Sequence, residues 1–347
     1  MTGFEADYVI IGGGSAGCVL AARLSENPEM SVLLIEAGGE DRNPLIHIPA
    51  GYIKTMVNPA INWMFESEPE ASSGNRRIKI PRGKVLGGSS AINAMLYVRG
   101  QASDYDEWAQ RGNKGWGFDD ILPYFRKAEH AEFTGDDDQF HGHGGPLNVA
   151  QLRNRYNGLD LVIEAAESCG YDHNPDYNGA YQDGFAYYQV TQKQGMRFSA
   201  KKAYLDPARR RRNLRVVTGA HVTNIAFDDV GGHTPRARSV QFSWRGRPHE
   251  AGAGREILLS AGAIQSPQIL ELSGIGDPSL LAAQGIGITA ALKGVGEHLA
   301  DHYISRLSWR LSSPLSINHH ACGIGLVGAV LQYALTRRGV LSMPAGM

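Results

Sequence analysis

The first forty residues combine two short apolar runs with an intervening segment of helical spacing. Residues 8–11 form an apolar run, rich in β-branched side chains and bounded by glycine, which predicts a buried strand over residues 7–11. Small residues at helical spacing predict a helix over residues 15–26, and an Asn-Pro pair ends it. Residues 31–35 predict a second buried strand, with Glu36 at its end. The pattern therefore indicates a strand–helix–strand unit of an α/β fold.

A glycine-rich turn joins the first predicted strand to the helix. Gly12, Gly14 and Gly17 occupy the three glycine positions of G-x-G-x-x-G. The first glycine allows a tight turn, the second lets a pyrophosphate approach the backbone, and the third lets helix and strand pack closely. Ser15 begins the helix, whose N-terminus attracts phosphate, and Glu36 can accept hydrogen bonds from ribose hydroxyls. Together they predict a dinucleotide-binding site.

The same residues also match a second motif. Gly13, Ser15 and Gly17 fit the G-x-S-x-G elbow that carries the nucleophile of α/β-hydrolases. That fold takes part of its oxyanion hole from an earlier strand, and the first strand here begins too close to the N-terminus. The glycine- and histidine-rich run at residues 141–145 resembles an oxyanion motif but lies downstream. The dinucleotide interpretation is therefore favoured.

Further along the chain, the pattern predicts more of a doubly wound, mostly parallel sheet with helices on both faces. Residues 215–227 predict a β-hairpin, and residues 256–259 predict a buried strand. Ser266 suits the N-cap of the next helix, with Pro267 at its first position. Ala261 follows a strand at the carboxyl edge, where such sheets bind ligands.

Composition narrows the class of protein. The chain has 347 residues, 42% of them hydrophobic, and a formal net charge of −1, so no long-range field favours nucleic acid. Its three cysteines are far apart, which fits a reducing compartment without a disulfide framework. The apolar run at residues 323–335 is too short and glycine-broken to span a bilayer. We expect a cytoplasmic protein without a transmembrane segment, either free or peripheral to the inner face of a membrane.

Three charged or histidine-rich runs raise other hypotheses. The aspartates at residues 136–138 lack regular metal-ligand spacing and predict a solvated loop. His141 and His143 lack a partner pair at zinc spacing, so a glycine-rich loop covering the active site is the better interpretation. The arginines at residues 209–212 are too few on a near-neutral chain to indicate nucleic-acid binding. We predict no metal and no nucleic-acid partner.

Two long segments of the chain form continuous motifs. The first, at residues 83–100, is GKVLGGSSAINAMLYVRG, and the second, at residues 262–276, is GAIQSPQILELSGIG. Both resemble signatures of one enzyme family, the glucose–methanol–choline (GMC) oxidoreductases. Shorter matches at residues 33–39, 62–63 and 294–299 fall in the family order, so the resemblance covers nearly the whole chain. It implies an FAD-binding, Rossmann-like doubly wound sheet followed by the beginning of an α+β substrate-binding domain.

The glycine turn and the resemblance together predict the cofactor-binding residues. Some family members attach flavin through a histidine at the position of Ile92, and isoleucine has no nucleophilic nitrogen, so we expect non-covalent FAD. The predicted cofactor-binding residues are Gly12, Gly14, Ser15, Gly17, Glu36, Ala37, Trp63, Val85, Gly88, Asn93, Ala94, Met95, Leu96, Val222 and Ala261.

The resemblance also implies an activity. Family members oxidise an alcohol by removing its hydroxyl proton and passing hydride to flavin N5, which here predicts a choline-like or other primary alcohol giving an aldehyde. The electron acceptor would be a quinone, another carrier or oxygen. The family's base is a histidine in a C-terminal motif, and none of His298, His302, His319 and His320 stands in that context. The catalytic residue is therefore unassigned.

The domain organisation follows from the same resemblance. Residues 1–305 are expected to form the FAD-binding domain, with a cap insertion near residues 149–191, and residues 306–347 to begin the substrate-binding domain. Because family members continue well beyond this length, we expect the chain to be a fragment that is inactive alone. A non-catalytic flavin-binding fragment is the alternative, and a nicotinamide-dependent dehydrogenase is a weaker one.

Overall fold

The computed structural model describes residues 4–135, 137–228, 234–302, 304, 310, 316–320 and 322–344. The chain divides into two compact units. The first unit comprises Met1–Arg42, Met56–Ile92 and Ala200–Leu307, and the second comprises Asn43–Thr55, Asn93–Ser199 and Ser308–Met347. The predicted boundary at residues 305 and 306 lies outside the described residues, and the predicted insertion at residues 149–191 falls within the second unit.

Strands occur in both units. In chain order they are β1 (Phe4–Ile11), β2 (Val32–Glu36), β3 (Phe65–Glu66), β4 (Lys79–Ile80), β5 (Glu129–Ala131), β6 (Leu147–Val149), β7 (Gln192–Lys193), β8 (Met196–Arg197), β9 (Leu214–Thr218), β10 (Ala220–Asp228), β11 (Arg236–Trp244), β12 (Arg247–Leu259), β13 (Ile275–Gly276) and β14 (Ala290–Ala291).

The α-helices are α1 (Ser15–Leu24), α2 (Pro44–His47), α3 (Tyr52–Thr55), α4 (Ala102–Gln110), α5 (Phe118–Ala128), α6 (Asn157–Ser168), α7 (Asp206–Ala208), α8 (Gly262–Leu272), α9 (Pro278–Ala283) and α10 (Gly323–Thr336). Short 3₁₀ segments lie at Pro49–Gly51, Ala71–Ser73, Gly88–Ala91, Ile317–His320 and Val340–Ser342, and a π-helical turn lies at Lys201–Leu205. No helix among the described residues has both the length and the hydropathy to cross a lipid bilayer.

A six-stranded sheet organises the first unit in the order β10-β11-β12-β1-β2-β9. The strands β12, β1, β2 and β9 are parallel neighbours, whereas β10, β11 and the first half of β12 are antiparallel. Apolar residues such as Val9, Leu33 and Phe242 form its core and are almost fully buried. The succession β1-α1-β2 confirms the predicted strand–helix–strand unit, and the α/β, Rossmann-like fold class is confirmed.

The predicted hairpin at residues 215–227 is wrong. Both of its strands exist, but β9 pairs with β2 and β10 pairs with β11, at opposite ends of the strand order. Gly219, with φ +67°, is the single residue between them. Paired hairpin strands are usually joined by two or more loop residues, so this connection sends β10 away from β9.

The predicted start of α8 is also wrong. The helix begins at Gly262 with Ala261 as its N-cap, so Ser266 and Pro267 lie inside it. Pro267 cannot donate the backbone hydrogen bond that would reach the carbonyl of Ala263, but its fixed φ suits a helix. The helix therefore continues through the proline, and the preceding strand determines where it begins.

The second unit contains a buried charged cluster around His141. The imidazole lies between two carboxylates, with Nδ1 3.1 Å from Glu129 Oε2 and Nε2 2.9 Å from Asp176 Oδ1. Arg99 donates to the same Glu129 oxygen at 2.8 Å, and both Glu129 and His141 are fully buried. The cluster joins β5 to the loops that carry residues 99, 141 and 176.

Candidate functional site

The site begins at the turn between β1 and α1. Gly12 has φ +96°, and a Cβ atom there would lie 2.5 Å from the carbonyl oxygen of Ser260. A Cβ at Gly17 would overlap the carbonyl oxygen of Gly12. Glycine is therefore required at both positions, the first for backbone conformation and the second for packing of the helix on the turn.

The N-terminus of α1 is open to an anion. Its N-cap is Gly14, which offers no side chain to cap the first N–H groups, and the first turn contains no acidic residue. Ser15 and Ala16 are exposed there. Because uncapped backbone N–H groups and the helix dipole both favour negative charge, this end can hold a phosphate.

Glu36 closes the turn from the end of β2. Its carboxylate accepts hydrogen bonds of 2.7 Å from the backbone N–H groups of both Gly13 and Gly38. Burial raises the pKa of Glu36, and the two N–H donors partly oppose that shift. A carboxylate has about four acceptor positions, so two bonds to the backbone leave capacity for a ribose hydroxyl.

The loop of the first signature lies directly against this turn. Gly87 N donates to Gly13 O at 2.8 Å, and Leu86 N donates to Gly39 O at 2.9 Å. Gly88 has φ +53°, and a Cβ there would stand 2.6 Å from the Cα of Gly14. The two glycine-rich segments, more than seventy positions apart in sequence, thus form one interlocked backbone surface.

Trp63 is held by three neighbours. Its ring stacks on Phe65 with centroids 5.9 Å apart, and the Lys84 ammonium lies 4.6 Å from the ring centroid. His221 approaches at 5.8 Å with a tilted ring. These contacts fix the orientation of the indole at the cavity that the turn and loop enclose.

The cavity has a volume of about 540 Å³ and opens beside the carboxyl ends of β1, β2 and β12. This volume is typical of cofactor sites, and the position is where doubly wound sheets bind nucleotides. The structure brings together at this cavity many of the predicted residues, namely Gly12, Gly14, Ser15, Glu36, Ala37, Trp63, Gly88, Val222 and Ala261.

Six predicted residues do not line this cavity. Gly17 packs under the turn, and Val85 is completely buried near the start of the first signature, bridged to Gly39. The remaining four, Asn93, Ala94, Met95 and Leu96, belong to the second unit.

Several lining residues were not predicted from the sequence. Arg82 and His221 line the cavity, as do Ser260, Gln265 and Gln268 around the start of α8. The second signature contains both glutamines, but the expected helix start at Ser266 assigned that stretch to the fold. The signal that could have found them is their position shortly after the predicted strand at residues 256–259, whose carboxyl end lies at the ligand edge of the sheet.

Neither metal chemistry nor acyl transfer has support in the described part of the chain. No group of three or more His, Cys, Asp or Glu side chains there could hold a metal ion, and Asp136 lies outside the described residues. The hydroxyl of Ser15 has no hydrogen bond to a histidine among the described residues. The arrangement instead suits a dinucleotide, with a phosphate site at α1, a carboxylate at Glu36 and an aromatic wall at Trp63.

Comparisons with known proteins agree with this geometry. The family model for GMC oxidoreductases matches residues 6–304. An oxygen-dependent choline dehydrogenase of Vibrio vulnificus is 41% identical over 96% of this chain and 59% of its own length. An alcohol dehydrogenase [acceptor] of Pseudomonas putida is 39% identical over 97% of this chain and 60% of its own length.

A solved structure shows the same fold. A formate oxidase of Aspergillus oryzae RIB40, determined in work on its FAD modification, superposes with a TM-score of 0.87 at 25% identity, over 99% of this chain and 61% of its own. The chain thus spans about 60% of the length of these relatives. The family match covers most of the 347 residues, and on that evidence the chain belongs to the GMC oxidoreductase family.

Proposed function

We propose that the chain binds FAD non-covalently and that its protein oxidises a primary alcohol to an aldehyde. The observation that carries the proposal is the interlocked surface of the β1–α1 turn and the Gly87–Gly88 loop beside one cavity. A nicotinamide site needs only the first of these two segments. When bound at this site, flavin would supply an electron sink for the oxidation of the alcohol carbon.

Each segment has a proposed role in holding the cofactor. The N-terminus of α1, with Gly14 and Ser15, would bind the pyrophosphate. Glu36 would orient the adenosine ribose, and Val222 and Ala261 would contact the adenine side. Gly88 and the turn at residues 93–96 would contact the isoalloxazine, as the family resemblance implies.

The non-covalent attachment rests on Ile92. Its side chain is 2% exposed and carries no atom that could bond to the flavin. The chain's part is then to bind and orient the cofactor and to exclude water from it. The residue that accepts the hydroxyl proton stays unassigned, because His298 and His302 are exposed and lie outside the family motif.

The substrate class is proposed from the relatives. The Vibrio vulnificus protein is named a choline dehydrogenase and the Pseudomonas putida protein an alcohol dehydrogenase [acceptor], so a choline-like or other primary alcohol is proposed. The electron acceptor would be a quinone, another carrier or oxygen. Because the Vibrio vulnificus protein is named oxygen-dependent, oxygen is one of the acceptors to be assayed.

Cofactor choice can be tested by titrating the purified chain with FAD and, separately, with NAD⁺ and NADP⁺, following flavin fluorescence or heat. We expect saturable binding of FAD at least about a hundredfold tighter than of either nicotinamide, a difference of about 2.7 kcal/mol. Equal or preferred binding of a nicotinamide would contradict the flavin assignment.

Activity should be tested on the protein expressed from its full reading frame. With FAD bound, a panel of primary alcohols that includes choline is assayed with an artificial dye, a quinone and oxygen as acceptors. Aldehyde formation that matches acceptor reduction in amount supports the proposal. Bound FAD without turnover of any alcohol would favour a flavin-binding protein that is not an alcohol dehydrogenase.

A further inference from the structure

The turn at residues 93–96 lies within the first signature, after the Gly87–Gly88 loop, and its backbone is strained. Met95 has φ +62°, a left-handed conformation that non-glycine residues rarely adopt, although its side chain is fully buried. The amide oxygen of Asn93 accepts a hydrogen bond from Met95 N at 3.1 Å, which closes the turn locally. Such a conformation persists only when surrounding contacts hold it.

A small hairpin supplies those contacts within the second unit. Strands β7 and β8 are joined by Gln194 and Gly195, both with positive φ, as in the tight turns that match strand twist. Thr191, just before β7, donates from its backbone N to Met95 O at 2.9 Å. The hairpin thus binds one end of the strained turn through backbone atoms.

Arg197, at the end of β8, binds the other end. Its guanidinium donates from Nη1 to Asn93 Oδ1 at 2.7 Å and from Nη2 to Asn93 O at 2.6 Å. The third nitrogen, Nε, donates to Ile46 O at 2.7 Å. The side chain is nearly inaccessible to solvent, with the residue 3% exposed, so these bonds are shielded from competing water.

We infer that Arg197 is a positioning residue, which holds Asn93 and thereby fixes the Asn93–Leu96 turn for contact with the cofactor. The inference rests on the proposed function, because the role of that turn toward flavin is itself proposed. The rigid, planar guanidinium places two donors in the paired geometry that the amide oxygen and the backbone carbonyl of Asn93 require. A lysine at this position would keep the charge but lose the paired geometry.

The test compares two arginine-to-lysine variants. Arg197→Lys removes the fork from the turn, whereas Arg99→Lys changes a similarly buried arginine that binds Glu129 and the Phe140 carbonyl instead. Hydrogen exchange of the amides of Met95 and Thr191 is measured in both, with FAD affinity and the visible spectrum of bound FAD. These readouts report on the turn rather than on global stability alone.

We expect Arg197→Lys to raise exchange at Met95 and Thr191 by about tenfold or more, to weaken FAD binding by about tenfold and to shift the flavin absorption bands. Arg99→Lys should leave exchange at those two amides and the flavin bands close to wild type. Equal effects of both variants, or no effect of Arg197→Lys, would overturn the positioning role.

A second pair of variants covers the case in which Arg197→Lys does not fold. Asn93→Ala removes the oxygen that Arg197 and Met95 share, whereas Asn93→Asp retains an acceptor there. Because Met95 N itself loses its acceptor in the alanine variant, the readout is Thr191 N, which donates to Met95 O. Faster exchange at Thr191 in the alanine variant alone supports the inference, and equal exchange in both variants contradicts it. If the wild-type chain binds no FAD, the proposed function fails while these exchange rates still decide whether Arg197 holds the turn.

Discussion

At the scale of single residues, the site depends on glycines that allow two backbones to touch. Gly88 combines a left-handed φ of +53° with a distance of 2.6 Å between its would-be Cβ and Gly14 Cα. Gly74 has a similar φ of +66° but open space around it. Comparing alanine variants at the two positions therefore separates the free-energy cost of the left-handed conformation from the cost of the steric overlap.

Gly88→Ala should lower the free energy of unfolding by about 3 kcal/mol, from the left-handed conformation and the overlap with Gly14 together. Gly74→Ala should cost only about 1 kcal/mol, since conformation alone is affected. Urea unfolding of both variants measures the difference. Equal losses would show that the backbones of Gly14 and Gly88 do not meet as described.

Glu36 is a second residue whose role can be isolated. Glu36→Gln would point an amide donor at one of the backbone N–H groups of Gly13 and Gly38, leaving donors facing each other. We expect a loss of about 2 kcal/mol in the free energy of unfolding, measured by urea denaturation. Glu26→Gln, which alters an exposed pair with Arg23, should change it by less than about 1 kcal/mol. Equal changes would refute the buried hydrogen-bonding role of Glu36.

At the scale of elements, the His141 cluster links the loops of the second unit through charge. Burial lowers the pKa of His141, but the hydrogen bonds and charges of Asp176 and Glu129 outweigh burial and raise the pKa to about 9. This folded-state pKa exceeds the ordinary value of about 6.5. Protonated His141 therefore stabilises the folded state fully below about pH 6.5, and this stabilisation is lost as the pH rises through about 9.

Stability should therefore fall by up to about 3 kcal/mol as the pH rises from about 6.5 to above 9. The difference in unfolding free energy between wild type and His141→Gln, taken by urea titration at several pH values, isolates this contribution. That difference should shrink steadily over the interval. A difference that stays constant from pH 6 to pH 10 would show that His141 is not the group responsible.

Elements set by local chemistry were predictable from the sequence, and those set by distant partners were not. The β1-α1-β2 unit follows from apolar runs, a glycine turn and the Glu36 position, all within forty residues. The pairing of β9 with β2 joins segments about 180 positions apart, which no local pattern in residues 215–227 encodes. The start of α8 depends likewise on the preceding strand and not on the local preference for Ser266 and Pro267.

At the scale of the whole molecule, segments distant in sequence line one cavity of the first unit, which is the proposed nucleotide site. Nine of the predicted cofactor residues line the same cavity, because glycine spacing and family resemblance both select backbone that must approach a ligand. The sequence could not show that Gly87 bonds to Gly13, that Arg197 holds Asn93, or that His141 is buried between carboxylates. Each of these contacts joins residues whose pairing is decided only by the fold.

The central claim, non-covalent FAD in this chain, is tested most directly by the visible absorption spectrum of the purified chain before and after denaturation. We expect flavin bands at about 370 and 450 nm that pass into the supernatant when heat or acid precipitates the protein. Colour that stays with the precipitate would contradict non-covalent binding of the flavin, which we infer from the isoleucine at position 92. A chain that remains colourless after incubation with excess FAD would contradict the flavin site itself.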